Sequence, residues 1–80
     1  MKYRICFERG SVIDYLCDTR GERNTFLTGI SVMAGRTHDG IEGALDALDA
    51  MLDAPAYAPG VPVTFDSFGE VGDVTVRRYR

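Results

Sequence analysis

This chain of 80 residues has no long apolar run, one histidine and only two cysteines. A membrane-spanning helix needs roughly 20 consecutive apolar residues, so no segment is expected to cross a bilayer. The first eight residues alternate polar with apolar and have no apolar core of a signal peptide, which predicts a cytoplasmic protein. A chain of this size makes one small domain, residues 1–80, with a marginal core that homodimerisation could reinforce.

Residues that could carry catalysis are few. Cys6 and Cys17 form no CxxC or Cys/His cluster, so reduced thiols are expected, with no disulfide scaffold and no metal site. His38 precedes Asp39, but sequence neighbours on a turn rarely point at each other, so general-base chemistry is not expected. The glycines in residues 69–72 flank an acidic residue where a phosphate would have to sit. We therefore expect neither an enzyme nor a bound cofactor.

Positive charge is missing from a long stretch of the chain. Residues 39–73 contain eight acidic residues and no lysine or arginine, whereas residues 1–38 carry a net charge of +2 and residues 74–80 carry +3. Such segregation within a net charge of −3 indicates interaction surfaces.

Alternating apolar and polar residues predict β-strands in residues 2–9, 61–66 and 74–79, with the last two paired. Residues 25–33 are rich in β-formers and predict a middle strand, after a polar turn in residues 19–24. Pro62 places its strand at a sheet edge or at a strand start.

Residues 12–18 allow two interpretations. Ile13, Tyr15 and Cys17 alternate as in a strand, whereas Ser11 followed by Asp14 resembles the capping box of a helix. A strand is favoured because a hairpin turning at residues 10–11 is the shortest way to pair the first strand. That hairpin would place Cys6 nearer to Asp14 or Tyr15 than to Cys17.

The clearest predicted element is an amphipathic helix. Asp39 is the expected N-cap, with Glu42 three residues later, and Pro55 lies beyond the end. Its apolar face at helical spacing comprises Ile41, Ala44, Leu45, Leu48, Met51 and Leu52. Leu45, Leu48 and Leu52 are expected to face the sheet. The fold class is therefore α+β: a small antiparallel sheet of four to five strands with one amphipathic helix packed on one face.

The polar side of this helix is the candidate partner-binding site. Four carboxylates fall in a band about 60° wide and about 16 Å long, one per turn: Glu42, Asp46, Asp49 and Asp53. No lysine or arginine lies three or four residues away, so the charges are expected to repel one another. We call these four residues the acidic stripe. The acidic stripe is either a solvated face or a contact surface for a basic groove. In both cases, replacing Asp46 and Asp49 together with Asn should leave the fold intact or slightly more stable.

The C-terminal residues mix cations with aromatics, as nucleic-acid binders do. They are Arg77, Arg78, Tyr79 and Arg80. Beside an acidic body, a solvated strand end explains them as well, and no direct nucleic-acid contact is expected.

The whole chain resembles the small anti-CRISPR proteins encoded by phages, in particular those directed at type I-C systems. The likeness is carried by its length, the opening MKYRICFERGSVIDYLCDTRGERNTF, the helix IEGALDALDAMLDA and the closing VTVRRYR. It implies a non-enzymatic inhibitor that acts in a host bacterial cell. Such an inhibitor binds a Cas protein or the crRNA-guided surveillance complex and prevents target DNA engagement.

A second resemblance is to the core of HicB-type antitoxins. MKYRICFE and the later TGISVMAGRTHDGIEGALDALDAML are similar to that family's opening strand and glycine-containing approach to a Glu-Ala-Leu helix. Ile30 stands where that family often has cysteine. This resemblance implies an alternative function as an antitoxin or as a small transcriptional or toxin-neutralising module.

Overall fold

A computed structural model describes residues 2–7, 14–69 and 72–79, which form one antiparallel sheet and two helices. The elements in chain order are β1 (Lys2–Phe7), β2 (Asp14–Cys17), α1 (Arg20–Met33), α2 (His38–Leu52), β3 (Val63–Ser67) and β4 (Asp73–Tyr79). The strand order is β2-β1-β4-β3. The α+β class and the antiparallel sheet are thus confirmed, but the described residues hold two helices where one was predicted.

Two hairpins lie side by side in the sheet. β1 and β4 are the central strands, paired from Lys2 opposite Tyr79 to Phe7 opposite Val74. The predicted pairing of β3 with β4 is confirmed, and β3 is an edge strand that begins directly after Pro62.

The strand interpretation of residues 12–18 is confirmed for Asp14–Cys17, and residues 12 and 13 lie outside the described residues. β2 pairs antiparallel with β1, and Cys6 lies opposite Asp14 as predicted, whereas Cys17 lies opposite Tyr3. The proposed turn at residues 10–11 falls outside the described residues. Because side chains alternate along a strand, Cys6 and Cys17 project to opposite faces of the sheet, which prevents a disulfide between them. Burial raises the pKa of the Cys17 thiol, so it stays protonated.

The core lies between one face of the sheet and the two helices. Tyr3, Ile5 and Phe7 of β1 are buried on this face together with Val74 and Val76 of β4. They pack in one cluster with Leu27 of α1 and with Leu48 and Leu52 of α2. Burial of these side chains at about 25 cal/mol per Å² is the main contribution to stability.

Residues 20–33 correct the sequence prediction, because they form helix α1 and not a turn followed by a strand. The Thr19 side chain accepts a hydrogen bond from the Glu22 amide at 3.1 Å and caps the helix. Arg23, Leu27 and Ser31 are its buried residues, four positions apart. The threonine and aromatic content that favoured a strand is a weak preference that tertiary packing overrides.

α1 ends in a left-handed glycine. Gly35 has φ of +80°, and the amides of Gly35 and Arg36 bond the carbonyls of Val32 and Ser31. This pattern is a Schellman motif. The chain then turns so that Arg36 pairs with Asp66 of β3 at 2.9 Å, and this hydrogen bond lowers the pKa of the Asp66 carboxyl.

The N-cap of α2 lies two residues before the expected one. Thr37, not Asp39, is the N-cap: its hydroxyl accepts a hydrogen bond from the Gly40 amide at 3.1 Å. A Cβ at Gly40 would lie 2.9 Å from that hydroxyl oxygen, so glycine fits this position closely. Asp39 instead lies in the first turn, where a negative charge is favoured by the helix dipole.

The predicted core face of α2 is largely confirmed. Ile41, Leu48 and Leu52 are buried and Leu45 packs partly buried against the core. Met51 is an exception: its side chain is 56% exposed because it lies at the edge of the apolar band, away from the sheet.

Candidate partner-binding surface

The acidic stripe is one line on α2 but two different environments. Glu42 in the second turn of the helix and Asp46 just past its middle are exposed. Asp49 lies in the last turn of the helix and Asp53 is its C-cap, and arginines of α1 and β4 contact these two residues. The absence of cations at neighbouring helical positions is therefore compensated by tertiary contacts in one half only.

Asp49 neutralises a buried cation. The side chain of Arg23 is 1% exposed, and its guanidinium lies 4.6 Å from the centre of the Tyr3 ring. It forms an ion pair with Asp49 and donates hydrogen bonds to Asn24 Oδ1 from Nε and Nη2 at 3.1 and 2.8 Å. A buried guanidinium is tolerated only when it is paired and hydrogen-bonded. Asp49 is thus a structural residue.

Asp53 joins three elements at the end of α2. Its two oxygens lie 2.9 Å from Arg20 Nη2 of α1 and 3.1 Å from Arg78 Nη1 of β4. Arg20 also approaches Asp49 at 3.7 Å, and these two carboxylates raise the pKa of its guanidinium. The five residues Arg20, Arg23, Asp49, Asp53 and Arg78 are called the ion-pair cluster below. Two of the four stripe residues belong to it.

The remaining carboxylates form an exposed acidic patch, defined here as Asp39, Glu42 and Asp46. Glu42 lies 3.2 Å from His38 Nε2, so the histidine contacts Glu42 and not its neighbour Asp39. No ion pair joins Asp46 to any residue that the structure describes. Exposed Gly43 and Ala47 lie beside these acids and leave them unobstructed. The patch is therefore accessible to a partner of opposite charge.

The described part of the chain contains an apolar cavity but no cluster suited to a metal ion. No group of three histidine, cysteine or acidic residues there could hold a metal ion. A cavity of about 270 Å³ opens near the end of α1, but its lining is apolar: Phe7, Ile30, Met33, Ala34 and Phe68. It brings no convergent polar groups together, which a catalytic pocket needs. Neither helix is long and apolar enough to cross a membrane, among the residues described.

The basic residues near the C-terminus separate to two faces. Arg78 points to the helix side, where it lies over the Tyr57 ring as well as against Asp53. Arg77 and Tyr79 occupy alternate positions of β4 and lie on the opposite face, in register with Arg4 and Lys2 of β1. Arg80 lies outside the described residues. The basic residues near the C-terminus thus belong to two surfaces of the sheet. The pairing of β1 with β4 shows which residues of β1 share each surface.

Comparison with family models, curated proteins and solved structures finds no match for this chain.

Proposed function

We propose that this protein is a non-enzymatic inhibitor of a CRISPR-Cas system. It binds a Cas protein or the crRNA-guided surveillance complex and prevents target DNA engagement. The observation that carries the proposal is the exposed acidic patch, whose carboxylates have no arginine or lysine against them among the described residues. The resemblance of the whole chain to anti-CRISPR proteins supplies the class of partner.

The chemistry of the patch fits a basic groove. Cas proteins that hold nucleic acid present cations to its phosphates, and carboxylates repeating at about 5.4 Å along a helix offer alternative anions. Exposed charges of this kind mainly raise the association rate and fix orientation. Within the stripe, Glu42 and Asp46 are available for this role, whereas Asp49 and Asp53 hold the two helices and the sheet together.

The test uses a purified type I-C surveillance complex and two double variants of equal charge change. Glu42→Gln with Asp46→Asn removes two charges from the patch. Asp18→Asn with Glu22→Gln removes two exposed charges near the start of α1 and serves as the matched control. Titration calorimetry should show weaker binding for the patch variant alone, by about tenfold at low salt and less at higher salt. Thermal unfolding checks that both variants fold.

A mobility-shift assay on target DNA completes the test. Wild-type protein in excess should prevent the complex from binding its target. Normal target binding in its presence would contradict inhibition, and equal affinity of both double variants would remove the acidic patch as the contact surface.

A further inference from the structure

The helix-free face of the sheet is a second charged surface, of opposite sign. We define it by the outward residues of β1 and β4 and by Leu16 of β2, which is 59% exposed. The outward residues of the two central strands include Lys2, Arg4, Cys6, Arg77 and Tyr79. Three of these five carry positive charge. Acidic α2 lies on the other side of the same sheet.

The cations on this face are directly opposed. Arg4 and Arg77 are cross-strand partners, and Lys2 lies opposite Tyr79 two residues further along, in the next pair on the same face. Like charges directly opposite in an antiparallel pair repel each other, and this pair places two positive charges side by side on one face. Arg77 contacts Cys6 Sγ at 3.1 Å, and the Arg4 guanidinium lies 5.8 Å from the Tyr79 ring centre. The side chains thus form a continuous layer of cations and an aromatic ring.

The contrast with the helix side is in the counter-charges. There, each of Arg20, Arg23, Arg36 and Arg78 has a carboxylate partner. On the helix-free face, neither Lys2 nor Arg77 forms an ion pair with a described residue. Two acidic residues of the described strands belong to this face by register: Asp73, exposed at the far end of β4, and Asp14 of β2, which lies opposite Cys6. Both positions lie further along the strands from Lys2 than those of Arg4 and Arg77. The Lys2 end of the face is therefore suited to an anion from outside the molecule.

We propose that the helix-free face binds single-stranded nucleic acid. Four strands about 4.8 Å apart give a surface about 14 Å across, which is enough for two or three nucleotides laid over a sheet. Lys2 and the two arginines contact phosphates, and bases stack on Tyr79 and on the guanidinium planes. A second copy of this chain placed face to face would oppose arginine to arginine, so it is a poor occupant.

This inference goes beyond the proposed function and departs from the expectation of no direct nucleic-acid contact. That expectation rested on four basic residues at the C-terminus. The strand pairing instead adds Lys2 and Arg4 from the N-terminus to Arg77 and Tyr79.

Fluorescence anisotropy with labelled 12-nucleotide RNA and DNA single strands tests the proposal. Wild-type protein should bind both at low salt, with affinity falling as salt rises. Arg4→Gln with Arg77→Gln should weaken binding about tenfold and reduce the salt slope by about 1.4, because each lost phosphate contact contributes about 0.7 for a single strand. Arg20→Gln with Arg36→Gln is the matched control: it removes two exposed cations on the helix side and should bind as wild type does.

A further variant separates stacking from charge. Tyr79→Leu keeps every cation and should weaken binding of both strands severalfold without changing the salt slope. Three results would overturn the proposal: no binding by wild type at low salt, equal loss in both double variants, or equal binding of a polyglutamate peptide. None of these depends on Cas binding, so this proposal and the proposed function fail independently.

Discussion

The two halves of the acidic stripe differ although both consist of carboxylates along one face of α2 and its C-cap. Asp46 is exposed with no ion pair to a described residue, whereas Asp49, one turn later, lies against a guanidinium that is 1% exposed. The difference arises from α1, which packs its Arg20 and Arg23 against the C-terminal half of α2. A carboxylate on a helix surface therefore has a role set by the neighbouring element.

This contrast divides the stripe into a stabilising half and an available half. Breaking a buried pair leaves an uncompensated charge and costs about 3–5 kcal/mol, whereas exposed pairs contribute about 0–1 kcal/mol. Substituting the same residue type at successive positions along α2 should reveal this gradient.

The largest effect is expected at Asp49. Asp49→Asn removes the carboxylate that pairs with Arg23. The buried guanidinium then keeps its hydrogen bonds to the side-chain oxygen of Asn24. We expect a loss of about 3 kcal/mol in the free energy of unfolding, the lower end for a broken buried pair because Asp49 is 26% exposed. Urea denaturation followed by circular dichroism measures it. A domain of this size has only about 3–5 kcal/mol in total, so the variant should be close to unfolding.

A paired substitution serves as the control for this result. Arg23→Met with Asp49→Leu removes both charges together, so it should be more stable than Asp49→Asn alone. An Asp49→Asn variant as stable as wild type would show that Arg23 does not need its carboxylate.

An intermediate effect is expected at Asp53, where both ion pairs are exposed to solvent. Asp53→Asn should reduce the free energy of unfolding by about 1 kcal/mol or less, since its carboxylate is 43% exposed. The loss should shrink further in high salt, because salt screens exposed pairs. Comparing urea midpoints at low and high sodium chloride checks this. A loss independent of salt would place Asp53 in a buried network with Asp49.

The fold could be predicted wherever one periodicity dominated. β1, β4 and α2 each have a clean apolar pattern, and all three were found within a few residues of their bounds. α1 was missed because its buried positions include Arg23 and Ser31, which a search for apolar spacing does not count. The Thr19-x-x-Glu22 sequence, an N-terminal capping signal, was the clue that could have revealed it.

The candidate site could be predicted only as a helix face. Helical geometry places the four carboxylates on one line without information from the rest of the fold. The arginine partners are distant in sequence. Arg23 lies 26 positions from Asp49. Arg20 and Arg78 lie 33 and 25 positions from Asp53. Such contacts depend on how the helices pack, which local patterns do not encode. For this reason Asp49 was expected to tolerate Asn, and the structure predicts the opposite.

The smallest effect is expected at Asp46, where the structure gives no intramolecular role. Asp46→Asn removes like-charge repulsion with Glu42 four residues before it and with Asp49 three residues after it. Aspartate and asparagine have similar helix propensities, so no other local effect competes. The free energy of unfolding should therefore rise by a few tenths of a kcal/mol, measured beside Asp49→Asn under identical conditions. A decrease of more than about 1 kcal/mol, well beyond a single exposed pair, would place Asp46 in the ion-pair cluster and remove the acidic patch as a free surface.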